Sequence, residues 1–252
     1  MNSVFFLSDA HLGFAGPAEE THRENTLLQF FNWISDKADT LYVVGDLFDF
    51  WLEYASVIPR RFFRILCGLN RLREKGIEVH YIVGNHDCWA GTFFPDAMGI
   101  PIYFKPVTPV LHGKRFLVGH GDGIAKKDVG YRILKKMLRN RMAVRLYKTI
   151  HPNAAFKMAL FFSRLSRNHR LIKDKDEEYA AYARSLFVQG FDCIVFGHTH
   201  RPFEYHEGNH TYINTGDWMN HFTYGRLQNG LLKLEHWPPQ GSEYDKPLEE
   251  SS

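Results

Sequence analysis

The chain of 252 residues can build one sizeable core, or one core carrying an insertion, and is short for two large domains. Its 44% hydrophobic and 23% charged residues exclude intrinsic disorder as the overall state, and Cys67, Cys88 and Cys193 are too few and too scattered for a disulfide framework. No apolar run reaches the roughly 20 residues that span a bilayer, and Met1 to Ser8 carries no charged segment ahead of a long apolar one, so a cytoplasmic protein is expected.

In chain order, the spacing predicts a strand in VFFLSD (4–9), a helix over 20–38, a strand in TLYVVGD (40–46), a helix over 60–75 and a strand in VHYIVGN (79–85). That alternation is the pattern of βαβ units in an α/β fold. Beyond residue 100 the pattern turns to hairpins: TPVLHG with KRFLVGHGD (108–122), then FEYHEG, HTYINTGDW, TYGRLQ and GLLKLEHW up to residue 237. Residues 124–190 interrupt this half with helical periodicity and are predicted as a helical insertion, or lid. One of its helices starts near Pro152, and another stops at Gly190. The core is thus expected in 1–123 and 191–237, with 238–252 as a flexible tail rich in Pro, Gly, Ser and acids.

The net charge of +3 hides a segregation. From Lys126 to Lys173 the chain holds 14 Lys or Arg and one acid, a local +13, while the rest, with 17 basic and 27 acidic residues, nets −10. A basic block of this kind points to an anionic partner: phosphate, nucleic acid or acidic lipid.

Several strand ends carry chemistry. On an extended strand, residues i and i+2 project to one side, so Asp9 with His11, and His198 with His200, read as ligand pairs. Three more strand ends place a polar residue after glycine: Gly45-Asp46, Gly84-Asn85 and Gly119-His120. Glycine allows a sharp turn and close approach, and the carboxyl ends of strands are where open α/β sheets bind ligands. Seven ligands are too many for one catalytic metal with an open position, but suit two metals that share Asp46. Imidazole, carboxylate and amide without thiolate fit Mn²⁺, Fe²⁺ or Zn²⁺.

The blocks DAHLG, GDLFDFW, GNHD, GHGD and GHTH resemble, in order, the five signature motifs of the calcineurin-like metallophosphoesterases. The resemblance implies a four-layer αββα sandwich. It assigns Asp9, His11, Asp46 and His200 to one metal, and Asp46, Asn85, His120 and His198 to the other. His86 is similar to the family's non-ligand catalytic histidine, with Asp87 expected to orient it and Asp49 to support the ligands.

Around these motifs, GHGDGIAKKDVGY, GHTHRP and INTGDW look like the UDP-2,3-diacylglucosamine hydrolases of lipid A synthesis, a similarity running to about Trp237. This implies cleavage of UDP-2,3-diacylglucosamine at the α-phosphorus to UMP and 2,3-diacylglucosamine 1-phosphate. It also implies two Mn²⁺ ions and a peripheral position on the inner face of the cytoplasmic membrane, with no obligatory protein partner. Substrate contacts map onto Trp51, Asp128 and Tyr131, with Asn85, His86, Arg167 and Lys173 as further candidates; many close members carry arginine in place of His86.

The segment NAAFKMALFF (153–162) is apolar nearly all round if helical and is flanked by Lys148, Lys157, Arg164, Arg167 and Arg170. Such a segment can roof the cleft, hold acyl chains and rest on anionic headgroups. A nuclease of the same superfamily is the alternative, but aromatics are not interleaved with the basic residues as strand stacking favours, so nucleic acid is not expected. A scaffold without metals is the non-enzymatic alternative, against which the complete ligand set argues.

Overall fold

The computed structural model of the protein describes residues 3–54, 56–124, 140–167 and 175–244. Four parallel strands, β1 (Ser3–Leu7), β2 (Thr40–Val44), β3 (Glu78–Ile82) and β4 (Ile102–Tyr103), form the centre and one edge of the first sheet. Later in the chain, β10 (Thr223–Gln228) and β11 (Leu231–His236) add antiparallel beside β1, so the order is β11-β10-β1-β2-β3-β4. The second sheet takes β5 (Val110–Leu111), β6 (Lys114–Val118), β7 (Cys193–Phe196), β8 (Pro202–Glu207) and β9 (His210–Thr215), in the order β5-β6-β7-β9-β8. The hairpins predicted at 108–122, 203–215 and 223–237 are all present.

Period-two alternation divides each strand of the first sheet between two cores. Phe5, Leu7, Leu41, Val43, Val79 and Tyr81 face the helices α1 (Pro17–Ile34) and α2 (Phe63–Glu74). Their neighbours Val4, Phe6, Tyr42, Val44 and Ile82 face Phe116, Val118, Cys193, Val195 and Ile213 of the second sheet. On α1, Leu27, Phe30, Phe31 and Ile34 make one apolar stripe at helical spacing. Each such fully buried side chain contributes about 1.5–3 kcal/mol relative to exposure. The helix begins three residues before the predicted 20 because Pro17, with its φ already fixed, opens it at the first helical position. Missed altogether is the short α3 (Phe93–Met98), which Gly99 ends in a left-handed turn at φ 63°.

Three helices lie in the predicted insertion among the described residues: α4 (Arg141–Tyr147), α5 (Pro152–Arg167) and α6 (Lys175–Phe187). Asn140 caps α4 by accepting from the amides of Met142 at 2.8 Å and Ala143 at 3.3 Å. Although read as part of the insertion, α6 packs on the sandwich itself. Its Tyr179, Ala180, Ala183, Leu186 and Phe187 bury against Ile194, Phe196 and Tyr212, which makes it the outer layer of the second sheet. The four layers αββα are thereby complete. In the predicted tail, the Tyr244 ring packs at a tilt of 44° on Trp237, centroids 5.1 Å apart, so Tyr244 lies against the first core. Asp128, Tyr131, Lys173 and the side chain of Arg167 lie outside the described residues. Among the described residues, no helix is long and apolar enough to cross a membrane.

Candidate metal centre

Strands β1, β2 and β3 pair in register with Leu7 beside Val43 and Val44 beside Ile82, and β6 pairs with β7 with Val118 beside Val195. Their carboxyl ends therefore meet at one edge of the sandwich, where all seven predicted ligands lie. The i, i+2 pairs converge by a route other than the expected pleat. Asp9 (φ 54°), His11 (φ 43°), Asp46 (φ 52°), His198 (φ 70°) and His200 (φ 59°) all adopt the left-handed region just past their strands. Each such non-glycine residue costs on the order of 1–3 kcal/mol and persists only where its surroundings hold it. Here the backbone amide of Asp9 donates to Gly45 O at 3.1 Å and that of His11 to Asp46 O at 2.9 Å. The amide of His198 donates to Asp9 Oδ2 at 2.8 Å.

The donors fall into three overlapping groups able to hold an ion: Asp9, His11 and His200; His11, Asp46 and His86; and Asp46, His120 and His198. In each, one donor atom per residue lies within 4.8 Å of the others. His11 Nε2 stands 3.2 Å from His200 Nε2, and Asp9 Oδ1 3.3 Å from His200 Nε2. Asp46 Oδ2 lies 3.7 Å from His11 Nε2 and 3.2 Å from His120 Nε2, and Asn85 Oδ1 lies 3.2 Å from that same nitrogen. Ligands about 2.1 Å from a tetrahedral ion sit about 3.4 Å apart, which is the spacing seen here.

Asp9, His11, Asp46, His120 and His198 are buried, and among the described residues Asp9 Oδ1 accepts no hydrogen bond. Burial opposes ionisation of Asp9 and Asp46, yet His11, His120 and His200 around Asp9, and His120, His86 and His11 around Asp46, hold both carboxyls well below their usual range. Burial likewise opposes charge on His120, but Asp46 overrides it and the imidazole is pushed up to about 10. Two buried carboxylates thus demand positive charge at the positions where divalent cations supply it, and the oxygen and imidazole donors fit such ions.

Surrounding contacts orient the donors. His120 Nδ1 lies 2.9 Å from the carbonyl of Val44, so Nδ1 carries hydrogen and Nε2 turns to the centre. In the same way His86 Nδ1 donates to Asp49 O at 2.9 Å. The Asp49 carboxylate also faces His11 Nδ1 at 3.4 Å and accepts from Ser163 Oγ of α5 at 3.1 Å, which ties the insertion to the centre.

Two expected roles are corrected. Asp87 does not orient His86: it accepts from Tyr81 Oη at 2.6 Å, Gly84 N at 2.7 Å and Leu47 N at 3.1 Å, and so pins the turns that carry Asn85 and Asp46. Burial, then the charge of Asp46, pushes its carboxyl up to about 7. Trp51 is not a substrate contact, being 0% exposed among Phe48, Phe62 and Phe94 with its indole N–H on Glu53 at 3.1 Å. Trp51→Ala is expected to cost about 3–5 kcal/mol through the cavity it leaves. Read by thermal denaturation, that is a fall of roughly 10 °C in Tm; an unchanged Tm is the contrary result.

Sequence reasoning missed Arg23. This buried arginine of α1 donates through Nη2 to the carbonyls of Ala10 and, at 3.5 Å, His11. Its neighbour Glu20 accepts from the amides of Gly13 and, at 3.2 Å, Ala15. Together they clamp the loop bearing the first two ligands. An acid and a base three residues apart on a helix read as a solvated pair, and nothing in their spacing marks them as buried.

Metal donors gathered at the carboxyl edge of an αββα sandwich define a metallophosphoesterase centre, and residues 3–202 match the family model of the calcineurin-like phosphoesterases. The chain belongs to that family, whose members bind divalent metal. At finer resolution, the chain is similar to proteins named UDP-2,3-diacylglucosamine hydrolase. One from Porphyromonas gingivalis is 28% identical over 93% of this chain and 97% of its own length. A second, from Nitrosococcus oceani, is 30% identical over 81% of each chain. A third, from Neisseria meningitidis, is 29% identical over 88% of this chain and 92% of its own.

Proposed function

We propose that this chain hydrolyses the pyrophosphate of UDP-2,3-diacylglucosamine to UMP and 2,3-diacylglucosamine 1-phosphate. The observation that carries the reading is the convergence of seven donors into overlapping sets linked through His11 and Asp46, in a chain aligned along nearly its whole length with relatives of that name. Asp9, His11, Asp46 and His200 would hold one ion, and Asp46, Asn85, His120 and His198 the other, with Mn²⁺ preferred and Fe²⁺ or Zn²⁺ compatible with the donors. When bound, such a pair polarises phosphoryl oxygens and lowers the pKa of water.

The remaining chemistry belongs to the chain's own residues. Hydrolysis adds a water oxygen to the α-phosphorus and breaks its bond to the bridging oxygen, which departs on the sugar phosphate. Protonated on both ring nitrogens, His86 donates through Nδ1 to Asp49 O and can offer its Nε2 hydrogen to a phosphate oxygen or to that leaving oxygen. Burial of the carboxylates excludes water from the donors and strengthens each electrostatic contact.

The insertion supports the lipid half of the substrate. Phe156 of α5 packs on Phe50 at 5.3 Å and Phe62 at 6.1 Å, while Phe161 is exposed. On α4, Met142 and Leu146 are exposed beside the exposed Arg145 and Lys148, a surface suited to the anionic inner face of the cytoplasmic membrane.

Incubating the protein with Mn²⁺ and UDP-2,3-diacylglucosamine is expected to release UMP in a metal-dependent manner. Hydrolysis of simple phosphodiesters without UMP release would move the substrate elsewhere in the family, and no bound metal with no turnover would favour a scaffold.

A further inference from the structure

A cavity of about 450 Å³ opens beside His120. Its apolar wall includes Ile82, Leu117 and Phe196, and one base and one acid, Lys105 and Asp122, also line it. Phe104 and Tyr182 also line it, and both rings are left substantially in water, at 50% and 41% exposure. Tyr182 stacks on Phe196 at 6.2 Å with the planes 21° apart. Two exposed rings beside one cavity serve no core.

The insertion and the cavity reach the centre at different ligands. Helix α5 arrives through Ser163 on Asp49, which holds His11 and His86. The cavity arrives at His120, on the other side of Asp46. A phosphoanhydride cut at the centre has one half on each side of the bond. The volume lies in the range of small-ligand pockets and has room for one nucleoside, not for two acyl chains as well. Two aromatic faces match a flat pyrimidine, since every base has a π-face to stack.

We infer that this cavity is the nucleoside subsite, taking the uracil and ribose of the substrate while the lipid half extends under α5. The inference rests on the proposed substrate being a uridine diphosphate lipid.

The test compares binding of UMP and of ribose 5-phosphate to the Mn²⁺-loaded protein by calorimetry, which isolates the base. Stacking on two rings predicts that wild type prefers UMP by at least about tenfold. The Phe104→Ala/Tyr182→Ala pair is expected to lose that preference, and Phe104→Trp/Tyr182→Phe, which keeps both rings, to retain it. Equal binding of the two ligands by wild type, or a preference that survives loss of both rings, overturns the subsite. UMP preference in a protein that fails to cleave the diacylglucosamine substrate would keep the subsite and reject the substrate; cleavage without any preference would do the reverse.

Discussion

Asp46→Asn is expected to abolish turnover while leaving the fold intact. Asparagine matches aspartate in volume and keeps an oxygen to accept the amide of His86, which now donates to Asp46 Oδ1 at 2.8 Å. What it removes is the negative charge between His11 and His120, at 3.7 and 3.2 Å. On the proposed reading Asp46 serves both ions, so its loss weakens two sites at once. Residues that merely support a metal ligand are worth 10–100-fold, so a shared ligand is worth at least about 10³ in kcat/KM. Metal analysis should show fewer than two ions per chain, and near-UV circular dichroism should match wild type. Full metal content with wild-type UMP release would remove Asp46 from its bridging role.

The ligand residues were legible because their chemistry leaves a trace in one dimension: a metal-ligating residue at the end of an apolar strand, five times over, and directly after glycine at Asp46, Asn85, His120 and His198. Layering was legible for a similar reason, since alternation along β1 to β3 sorts side chains between two cores. Trp51 and Asp87 were misread because a motif states where a residue is and not which way it points. Trp51 shares its block with Asp46, yet it packs with Phe62 and Phe94, each distant in sequence. Asp87 follows His86 directly, but the turn aims its carboxylate back at Tyr81 and Gly84. The assignment of α6 failed on a comparable point: its apolar stripe is visible in sequence, but which surface it covers is a tertiary fact. Left-handed backbone at Asp9 or His200 leaves no trace either, because neither residue is a glycine.

Gly84→Ala should be nearly as damaging as loss of a ligand, although Gly84 offers no side chain. A Cβ there would collide with Asp46 Oδ1 and come within 2.7 Å of Asp46 N and 2.8 Å of its Cγ. Relief by moving the Asp46 side chain breaks its bond from the His86 amide. Relief by moving its backbone is blocked at Gly45, whose φ of 88° belongs to glycine and whose own missing Cβ leaves 2.9 Å to Gly84 Cα and 2.5 Å to His120 Nδ1. The remaining way out is separation of the β2 and β3 ends, which draws Asp46 away from Asn85. Overpacking of this kind costs typically about 1–3 kcal/mol, and a misplacement near 1 Å can cost about 10²-fold in rate. Gly84→Ala is therefore expected to lose at least about a hundredfold in UMP release and to retain less metal. Gly16→Ala, where an added methyl meets nothing within 4 Å, should stay within about twofold of wild-type activity: losing the N-cap glycine costs the helix on the order of 1 kcal/mol of stability but displaces no ligand. Equal activity and metal content in the two variants would mean that the strand ends yield without moving the ligands, and that close packing at Gly84 does not set the geometry of the centre.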